Sequence, residues 1–371
     1  MEFKGCRYFQ FDNICDELDS LEWSPEWTFF AAPVFITQSF VSFTDMNFGV
    51  IGTAAIARGA VLPAIAQTDH RVLALASRDE KRAASVAEDF GVPRAYGSYD
   101  ELLRDEDLDA VYNPLPNSLH EEWTKRAADA GLDVLCEKPL SVDATQAREM
   151  GTYCEERGVT LMEAFMYRYH PRTERVVEIV DEELDGIRGV QATFQFPLRG
   201  RPDDVRLNPD LAGGSLMDVG CYAVNATRLL LGEPDAVYAR TADTRDSGVE
   251  THLTGFLEYS DGLTAQVSAS FDTQDTQRYR VEATNGWLEA DPAFVPRGDD
   301  GVSIEYVIDG RHITEKFEPV DQYRLEVEHF ADCVRTGRTP RTDAAEAALN
   351  MAVIDGLYES ARTEAPVPIE P

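Results

Sequence analysis

Hydrophobic and polar residues follow two different patterns along the chain, and the change comes near residue 187. From residue 46 to about 168, short continuous apolar runs are separated by stretches with helical periodicity. Apolar runs of this length are typical of strands that are buried on both faces of a parallel sheet. The predicted strands are NFGVIG (47–52), VLALAS (72–77), DAVYNP (109–114), DVLCE (133–137) and VTLMEA (159–164).

The segments between these strands carry the signals of helices. Ser98 and Asp143 stand where N-cap residues are expected, each just before a helical stretch. Alternating strands and helices of this length predict an α/β fold, a Rossmann-type doubly wound parallel sheet over residues 46–168. The predicted helices span 55–67, 79–89, 98–104, 118–130 and 143–157.

The second half of the chain has the pattern of an antiparallel sheet with one covered face. Apolar and polar residues alternate there, and Asp261-Gly262 and Asn285-Gly286 are typical hairpin turns. We expect residues 169–371 to form an α+β substrate and oligomerisation domain with an open-faced, mainly antiparallel sheet. An exposed sheet face usually needs covering, which favours a homodimer or homotetramer. The predicted elements are strands at 190–196, 250–260, 263–271, 278–284 and 302–308, and helices at about 321–336 and 343–362.

Residues 1–45 stand apart as an N-terminal extension, because they are rich in aromatic residues and show no clear period. Two interpretations stay open. The segment is an arm that packs on a partner subunit, or it is a disordered or misassigned leader before a true start at Met46. We favour the second.

The charge of the chain limits its partners. The net charge is −33, and only five of the 34 basic residues are lysines. Such acidity argues against binding to nucleic acids or to an anionic membrane surface, since both require clustered cations. We interpret the charge as an adaptation to a salt-rich cytoplasm, where ions screen the self-repulsion of the protein.

Cysteine spacing and hydropathy indicate a cytoplasmic protein. The six cysteines show no CxxC or zinc-like spacing, so we expect neither a disulfide framework nor a metal site. The chain has no run of 18 apolar residues and no secretory signal pattern at its start.

A candidate cofactor site follows the first predicted strand. The turn Gly52-Thr53-Ala54-Ala55-Ile56-Ala57 is a GxGxxA fingerprint with Ala54 in place of the second glycine. Such a turn brings backbone N–H groups and a helix N-terminus to a pyrophosphate. The second strand ends in Ser77-Arg78, which suits the 2′-phosphate of NADP better than the 2′-hydroxyl of NAD. Asp79 either binds a ribose or starts the next helix.

Two further motifs carry the candidate chemistry. Hydride transfer from an alcohol needs a proton acceptor and a cation near the developing oxyanion. Lys138 follows a predicted strand at the sheet edge where ligands bind. Asp218 and Tyr222 share a helix face in GGSLMDVGCY, where Asp218 either orients substrate or only completes a capping box with Ser215. Tyr222 acts as a base only if a cation such as Lys138 lowers its pKa.

These motifs resemble the glucose–fructose oxidoreductase/inositol dehydrogenase (Gfo/Idh/MocA) family over about 47–362. The resemblance rests on Glu137-Lys-Pro, on Pro-Asn-x-x-His at 116–120, on Glu163-Ala-x-x-x-Arg168-Tyr-x-Pro and on Asp218-x-Gly-x-Tyr222. It implies an NAD(P)-dependent enzyme acting on sugars, polyols or diols. The tyrosine at 222 is similar to the branch of D-xylose 1-dehydrogenases and dihydrodiol dehydrogenases.

The resemblance also assigns roles to residues. It implies catalysis by Lys138, Tyr222 and Asp218, with a cis peptide before Pro139. Cofactor contacts are implied for Asn113, Pro114, Asn117, His120, Glu137 and Lys138, and substrate contacts for Glu163, Phe165, Arg168, His170, Asp218 and Tyr222. His120 has a second interpretation, as a cap of the helix that starts near Ser118.

The sequence thus predicts an NADP-dependent oxidoreductase that oxidises an aldose, and we favour a pentose such as D-xylose at C1, giving the lactone. NAD is the less favoured cofactor. The alternatives are an inositol or polyol dehydrogenase, a trans-dihydrodiol dehydrogenase and, in another class, a non-catalytic dinucleotide sensor. The sugar itself depends on loops such as 197–212, whose conformation the sequence does not give.

Overall fold

The structure, a computed structural model, describes residues 45–296 and 301–369. The prediction for the N-terminal extension therefore falls almost entirely on residues outside the described ones. Within the described residues, the chain forms two sheets, one of six strands and one of nine.

The first sheet is parallel throughout, with strand order β3-β2-β1-β4-β5-β6. The direction of winding reverses between β1 and β4, and a crevice opens outside the carboxyl ends of strands at such a point. The predicted doubly wound fold is confirmed. Its strands are β1 (Asn47–Ile51), β2 (Arg71–Ala76), β3 (Arg94–Tyr96), β4 (Ala110–Asn113), β5 (Asp133–Glu137) and β6 (Leu161–Ala164).

The helices of this half flank the sheet, and their starts follow the predicted caps. Ser98 accepts a hydrogen bond from the Glu101 N–H, and Asp143 accepts one from the Gln146 N–H. The predicted helix 55–67 is present over residues 55–65, with a π-helical turn at Ala57–Val61 before α1. The helices are α1 (Leu62–Ile65), α2 (Glu80–Phe90), α3 (Tyr99–Leu102), α4 (His120–Asp129) and α5 (Ala144–Glu155).

The second sheet is mixed but mostly antiparallel, as predicted. Its order is β14-β13-β12-β11-β7-β10-β9-β8-β15, and β7 and β10 run parallel. The strands are β7 (Ile187–Gln195), β8 (Ala236–Ala242), β9 (His252–Glu258), β10 (Thr264–Ser270), β11 (Thr276–Ala283), β12 (Gly286–Ala290), β13 (Val302–Ile308), β14 (Arg311–Phe317) and β15 (Val367–Pro368).

The remaining α-helices of the described residues are α6 (Pro171–Glu182), α7 (Cys221–Leu231), α8 (Gln322–Thr336) and α9 (Ala344–Thr363). The apolar side of α7 is buried in the core of the second sheet. Helix α8 returns to the first sheet, where Phe330 packs against Phe48 of β1. Among the described residues, no helix is both long enough and apolar enough to cross a bilayer.

Candidate active site

A cleft of about 820 Å³ lies between the carboxyl ends of the first-sheet strands and the second half of the chain. The first half contributes the turn after β1, the end of β2, the loop after β4 and the end of β5. The second half contributes the end of β7, the connection from 201 to 214, and the segment from Asp218 to Tyr222. The cleft thus occupies the position that the strand order predicts for a ligand.

The turn after β1 has the backbone of a dinucleotide-binding turn. Gly52 has a φ of +113°, which favours glycine, and a Cβ atom there would lie 3.2 Å from Leu115 Cδ2. Thr53, Ala54 and Ile56 line the cleft with Gly52. Ala57, which we predicted to contact the cofactor, is completely buried beneath the turn. Its place in the fingerprint therefore reflects packing between helix and sheet.

The end of β2 presents cations to the cleft. Ser77, Arg78 and Arg82 line this end, and both arginine side chains are exposed. Asp79 caps α2, because its Oδ1 accepts hydrogen bonds from the backbone N–H groups of residues 81 and 82 at 3.0 and 3.2 Å. Of the two interpretations of Asp79, the structure supports the start of the helix. The arginines, unpaired with carboxylates within the described residues, fit an added phosphate.

Lys138 stands on a rigid turn at the end of β5. The Lys138–Pro139 peptide is cis, as the resemblance implies. The following N–H, that of Leu140, donates to Glu163 Oε1 at 2.8 Å. His120 lies between two carbonyl oxygens, with Nδ1 at 3.0 Å from that of Pro139 and Nε2 at 2.7 Å from that of Leu115. The turn is therefore held from two sides.

Lys138, Asp218 and Tyr222 meet in the cleft. Lys138 Nζ donates to the backbone oxygen of Asp218 at 2.7 Å and to its Oδ1 at 3.3 Å. The same Nζ lies 5.0 Å from the centre of the Tyr222 ring. Two segments that are 80 residues apart in sequence thus converge on one site.

The segment that carries Asp218 is a π-helical turn, Leu216–Gly220, which continues into α7. Ser215 makes no capping hydrogen bond, so the capping-box interpretation of Asp218 is wrong. Gly220 allows a close approach to the second sheet, because a Cβ atom there would lie 3.0 Å from Ala269 Cβ of β10. π turns inside helices occur frequently at functional sites.

The charges of the lysine and the aspartate support each other. Burial has the largest single effect and lowers the pKa of the Lys138 ammonium, but Asp218, Cys221 and Glu137 together raise that pKa, and the net pKa lies above the ordinary value. Burial raises the pKa of Asp218, yet Lys138 and Arg206 together lower it to a net value below the ordinary one. Both groups are therefore ionised at neutral pH.

Tyr222 has a different environment from the one we predicted. Burial raises the pKa of its phenol well above the ordinary value, so the expectation that Lys138 makes it a base at neutral pH is wrong for this state of the site. The ring contacts Phe165, Phe194 and Phe294, with centroid distances between 5.0 and 5.4 Å. The hydroxyl donates only to Met166 Sδ, at 3.4 Å. The resting site therefore holds a neutral phenol.

The predicted cofactor residues divide into lining and supporting residues. Pro114, Asn117 and Glu137 line the cleft. Asn113 does not, because its side chain is fully buried and donates to the His120 carbonyl oxygen at 3.4 Å. His120 is also fully buried, and its ring supports the loop after β4 and the Pro139 turn instead of lining the cleft.

Four predicted substrate residues lie outside the lining of the cleft. Glu163 is buried behind the lysine turn, and Phe165 lies behind the ring of Tyr222. Arg168 pairs with Glu346 at 3.2 Å, next to α7. His170 caps α6 by accepting from the Arg172 N–H at 3.0 Å. Sequence closeness to the site therefore does not mean contact with the substrate, and these four side chains have structural partners instead.

The structure also adds lining residues that the sequence analysis did not name. The aromatic and apolar ones come from the turn after β6, from the end of β7 and from α8, and the charged ones come from the connection after β7. Apolar periodicity could have indicated the strand-end aromatic residues, but nothing in the local pattern indicates the charged ones. They are Met166, Phe194, Phe196, Tyr323, Arg201, Asp203, Asp204 and Arg206.

Comparison with known proteins matches both halves of the chain. Residues 46–165 match a family model described as an oxidoreductase family with an NAD-binding Rossmann fold, and residues 174–289 match the GFO/IDH/MocA C-terminal domain. D-xylose 1-dehydrogenase (NADP(+)) 2 of Haloferax volcanii is 55% identical over 325 residues, which cover 88% of this chain and 100% of that protein.

Two solved structures share the fold. The aldose-aldose oxidoreductase from Caulobacter crescentus, complexed with glycerol, has a TM-score of 0.81 and 31% identity over 87% of this chain and 99% of its own. A 3-ketoreductase from Actinomadura kijaniata, in complex with NADP and TDP-benzene, has a TM-score of 0.81 and 33% identity over 85% of this chain and 98% of its own. The likeness therefore extends over both sheets.

Proposed function

The chain belongs to the Gfo/Idh/MocA oxidoreductase family, and from that premise we propose that it is an NADP-dependent dehydrogenase that oxidises an aldose at C1. A pentose such as D-xylose, giving the lactone, is the substrate that we favour. The observation that carries the proposal is the convergence of Lys138, Asp218 and Tyr222 in a cleft that also holds a dinucleotide-binding turn.

NADP fits the residues at the far end of the cleft. The turn at Gly52–Ile56 directs backbone N–H groups to a pyrophosphate, and Ser77, Arg78 and Arg82 can hold a 2′-phosphate. Asp79 caps α2 through its Oδ1 and does not line the cleft, whereas the two arginines do. When bound, the cofactor supplies the hydride acceptor.

The chain's own residues then handle the sugar and its proton. The Asp218 carboxylate accepts hydrogen bonds from sugar hydroxyls, and the Lys138 ammonium stabilises negative charge on the reacting oxygen. Tyr222 exchanges the proton with that oxygen. Its neutral phenol donates the proton in the reducing direction; in the oxidising direction the phenol first releases its own proton to solvent, and the resulting phenolate takes the proton of the sugar hydroxyl. Because Lys138 faces the ring, its charge stabilises the ionised phenol when it forms.

The experiment is a panel of pentoses, hexoses, inositol and trans-dihydrodiols, run in high salt with NADP⁺ and NAD⁺ in parallel. We expect absorbance of the reduced cofactor with a pentose and NADP⁺, and loss of at least about a hundredfold in turnover for Lys138→Ala. Turnover confined to inositol or a dihydrodiol would replace the proposed substrate. Cofactor binding without turnover on any member of the panel would indicate a dinucleotide sensor instead.

We also propose a setting for the enzyme. Its acidity suits a salt-rich cytoplasm, and the open face of the second sheet, where Phe256 is exposed, suits contact with a second copy of the chain. Sedimentation in high salt tests the assembly, because a monomer at all concentrations would contradict it.

A further inference from the structure

One side chain in the cleft belongs to no motif of the sequence and yet contacts the catalytic cluster. Arg206 lies in a short 3₁₀ turn, Val205–Leu207, in the connection between β7 and α7. Its Nε donates to Asp218 Oδ2 at 2.6 Å, and its Nη1 donates to Asp204 Oδ1 at 3.2 Å. It therefore links the loop to the Asp218 carboxylate, which also accepts a hydrogen bond from Lys138.

The backbone of the loop is built around this position. The Gly214 N–H donates to the Arg206 carbonyl oxygen at 2.9 Å. A Cβ atom on Gly213 would overlap that same oxygen, so only glycine allows the approach. Asp204 accepts from both the Arg206 N–H and its guanidinium, which fixes the side chain at its base. The two glycines before Ser215 thus allow the chain to pass close to the backbone of Arg206 and fix its position.

Asp218 is consequently held between two cations from different parts of the chain. Lys138 reaches Oδ1 from the first half, and Arg206 reaches Oδ2 from the loop. The Asp218 side chain is 16% exposed and that of Lys138 is 13% exposed, so solvent screens their ion pair only weakly. The Arg206 side chain is 39% exposed, so solvent screens its ion pair with Asp218 more strongly. Within this cluster, the positive charges of Lys138 and Arg206 equal in number the negative charges of Asp204 and Asp218.

We propose, on the basis of the dehydrogenase function above, that Arg206 is a positioning residue. It fixes the Asp218 carboxylate so that this carboxylate faces a sugar hydroxyl. Because the carboxylate is paired with both Arg206 and Lys138, it neutralises the Lys138 ammonium only in part. Its Nη2 makes no hydrogen bond to the described residues. This N–H group can therefore donate to an oxygen of the bound polyol. The connection after β7 is thereby linked to the carboxylate that contacts Lys138.

The test compares the full chain with Arg206→Gln, with Arg206→Lys and with Arg199→Gln. Arg199 is a matched control, because it lies in the same connection, carries the same charge and is exposed outside the cleft. For Arg206→Gln we expect kcat/KM for the aldose to fall by about ten- to hundredfold, since a charge-assisted hydrogen bond is lost. NADPH affinity, measured by fluorescence titration, should stay within about twofold, because Arg206 lies away from the phosphate turn.

A second measurement does not depend on the identity of the substrate. The pH dependence of trace acetylation at Lys138, read from its peptide by mass spectrometry, reports the pKa of its ammonium. Arg206 is a cation that lowers the Lys138 pKa, so Arg206→Gln should move the midpoint to higher pH, and Arg199→Gln should not. Arg206→Lys retains the charge and should restore the midpoint and part of kcat/KM.

The outcomes separate the two proposals. If the wild type oxidises no aldose, the proposed function fails, while the acetylation midpoint still decides the role of Arg206. An unchanged midpoint with wild-type kcat/KM in Arg206→Gln would overturn the inference. Loss of both NADPH binding and turnover in Arg206→Gln would overturn it as well, because that result indicates a purely structural arginine. If Arg206→Gln does not fold, Arg206→Lys decides by the same readouts.

Discussion

Removing the hydroxyl group of Tyr222 separates its chemical role from its packing role. The ring is buried among Phe165, Phe194 and Phe294, and phenylalanine keeps all of these contacts. The hydroxyl has a single described partner, Met166 Sδ at 3.4 Å, and a thioether is a weak acceptor. Tyr222→Phe should therefore change the chemistry and leave the fold intact.

The expected magnitudes differ widely. An ordinary hydrogen bond contributes about 0.5–1.5 kcal/mol to stability, and a bond to sulfur less, so we expect a loss below about 1 kcal/mol. For a chain of this size, that is a fall in Tm of about 2 °C or less. Loss of a general acid–base group lowers turnover by about 10²–10⁴-fold, equivalent to about 3–5 kcal/mol of barrier.

Tyr167→Phe is the matched control, because Tyr167 lies in the same aromatic cluster and its hydroxyl donates to Asn225 Oδ1 at 2.5 Å. This substitution leaves a buried amide oxygen with one donor fewer and should cost about 1–3 kcal/mol of stability with little loss of turnover. Steady-state kinetics in high salt and thermal melts decide between the two roles. Wild-type kcat in Tyr222→Phe, or a larger kinetic loss in Tyr167→Phe, would refute the assignment of the proton to Tyr222.

Three further predictions concern the cofactor, the buried carboxyl and the charge. Arg78→Ala should raise KM for NADP⁺ by about ten- to hundredfold and leave KM for NAD⁺ nearly unchanged, because a charged hydrogen bond to phosphate contributes about 1.5–3 kcal/mol; equal losses with both cofactors would contradict this. Burial raises the pKa of Glu163 from 4.5 to about 8, so the native protein holds a proton that the unfolded chain releases. The free energy of unfolding then falls as pH rises from about 5 to 8. Glu163→Gln, which keeps an acceptor for Leu140, should gain stability over the wild type across that range in denaturant titrations. If the stabilities of the two proteins change in parallel with pH, the Glu163 carboxyl is not the cause. With a net charge of −33, the melting temperature should be higher in molar than in millimolar NaCl, and an unchanged melt would argue against adaptation to salt.

The architecture was largely predictable because the strongest signals are local. Buried parallel strands produce continuous apolar runs, and five of them were found from such runs. The edge strand β3 was missed because it has three residues and none is fully buried. Strand β14 was missed because it is exposed along most of its length and shows no alternation. The parallel pairing of β7 with β10 leaves no local trace, since it depends on which distant strand lies beside it.

The site was predictable only where a motif fixes both residue and direction. Lys138, Asp218 and Tyr222 meet as expected, but Arg168 and His170 leave the backbone toward Glu346 and Arg172. A sequence motif does not state which way a side chain points after a strand. The pKa of Tyr222 was mispredicted for a different reason, because the effect of burial outweighs that of a nearby cation and burial depends on the whole fold.

The π turn at Leu216–Gly220 makes the alignment of the site depend on the length of one helix. Such a turn holds one residue more than the α-helical turn it replaces, and each residue of an α-helix rotates the chain by about 100°. Deleting one residue between Asp218 and Tyr222 would leave a regular helix whose apolar side still packs on the sheet. The carboxylate and the phenol would then be three residues apart, which places them about 60° apart around the axis and still on one face. A relative without this extra residue would therefore keep its architecture but hold the two groups at a changed angle and spacing.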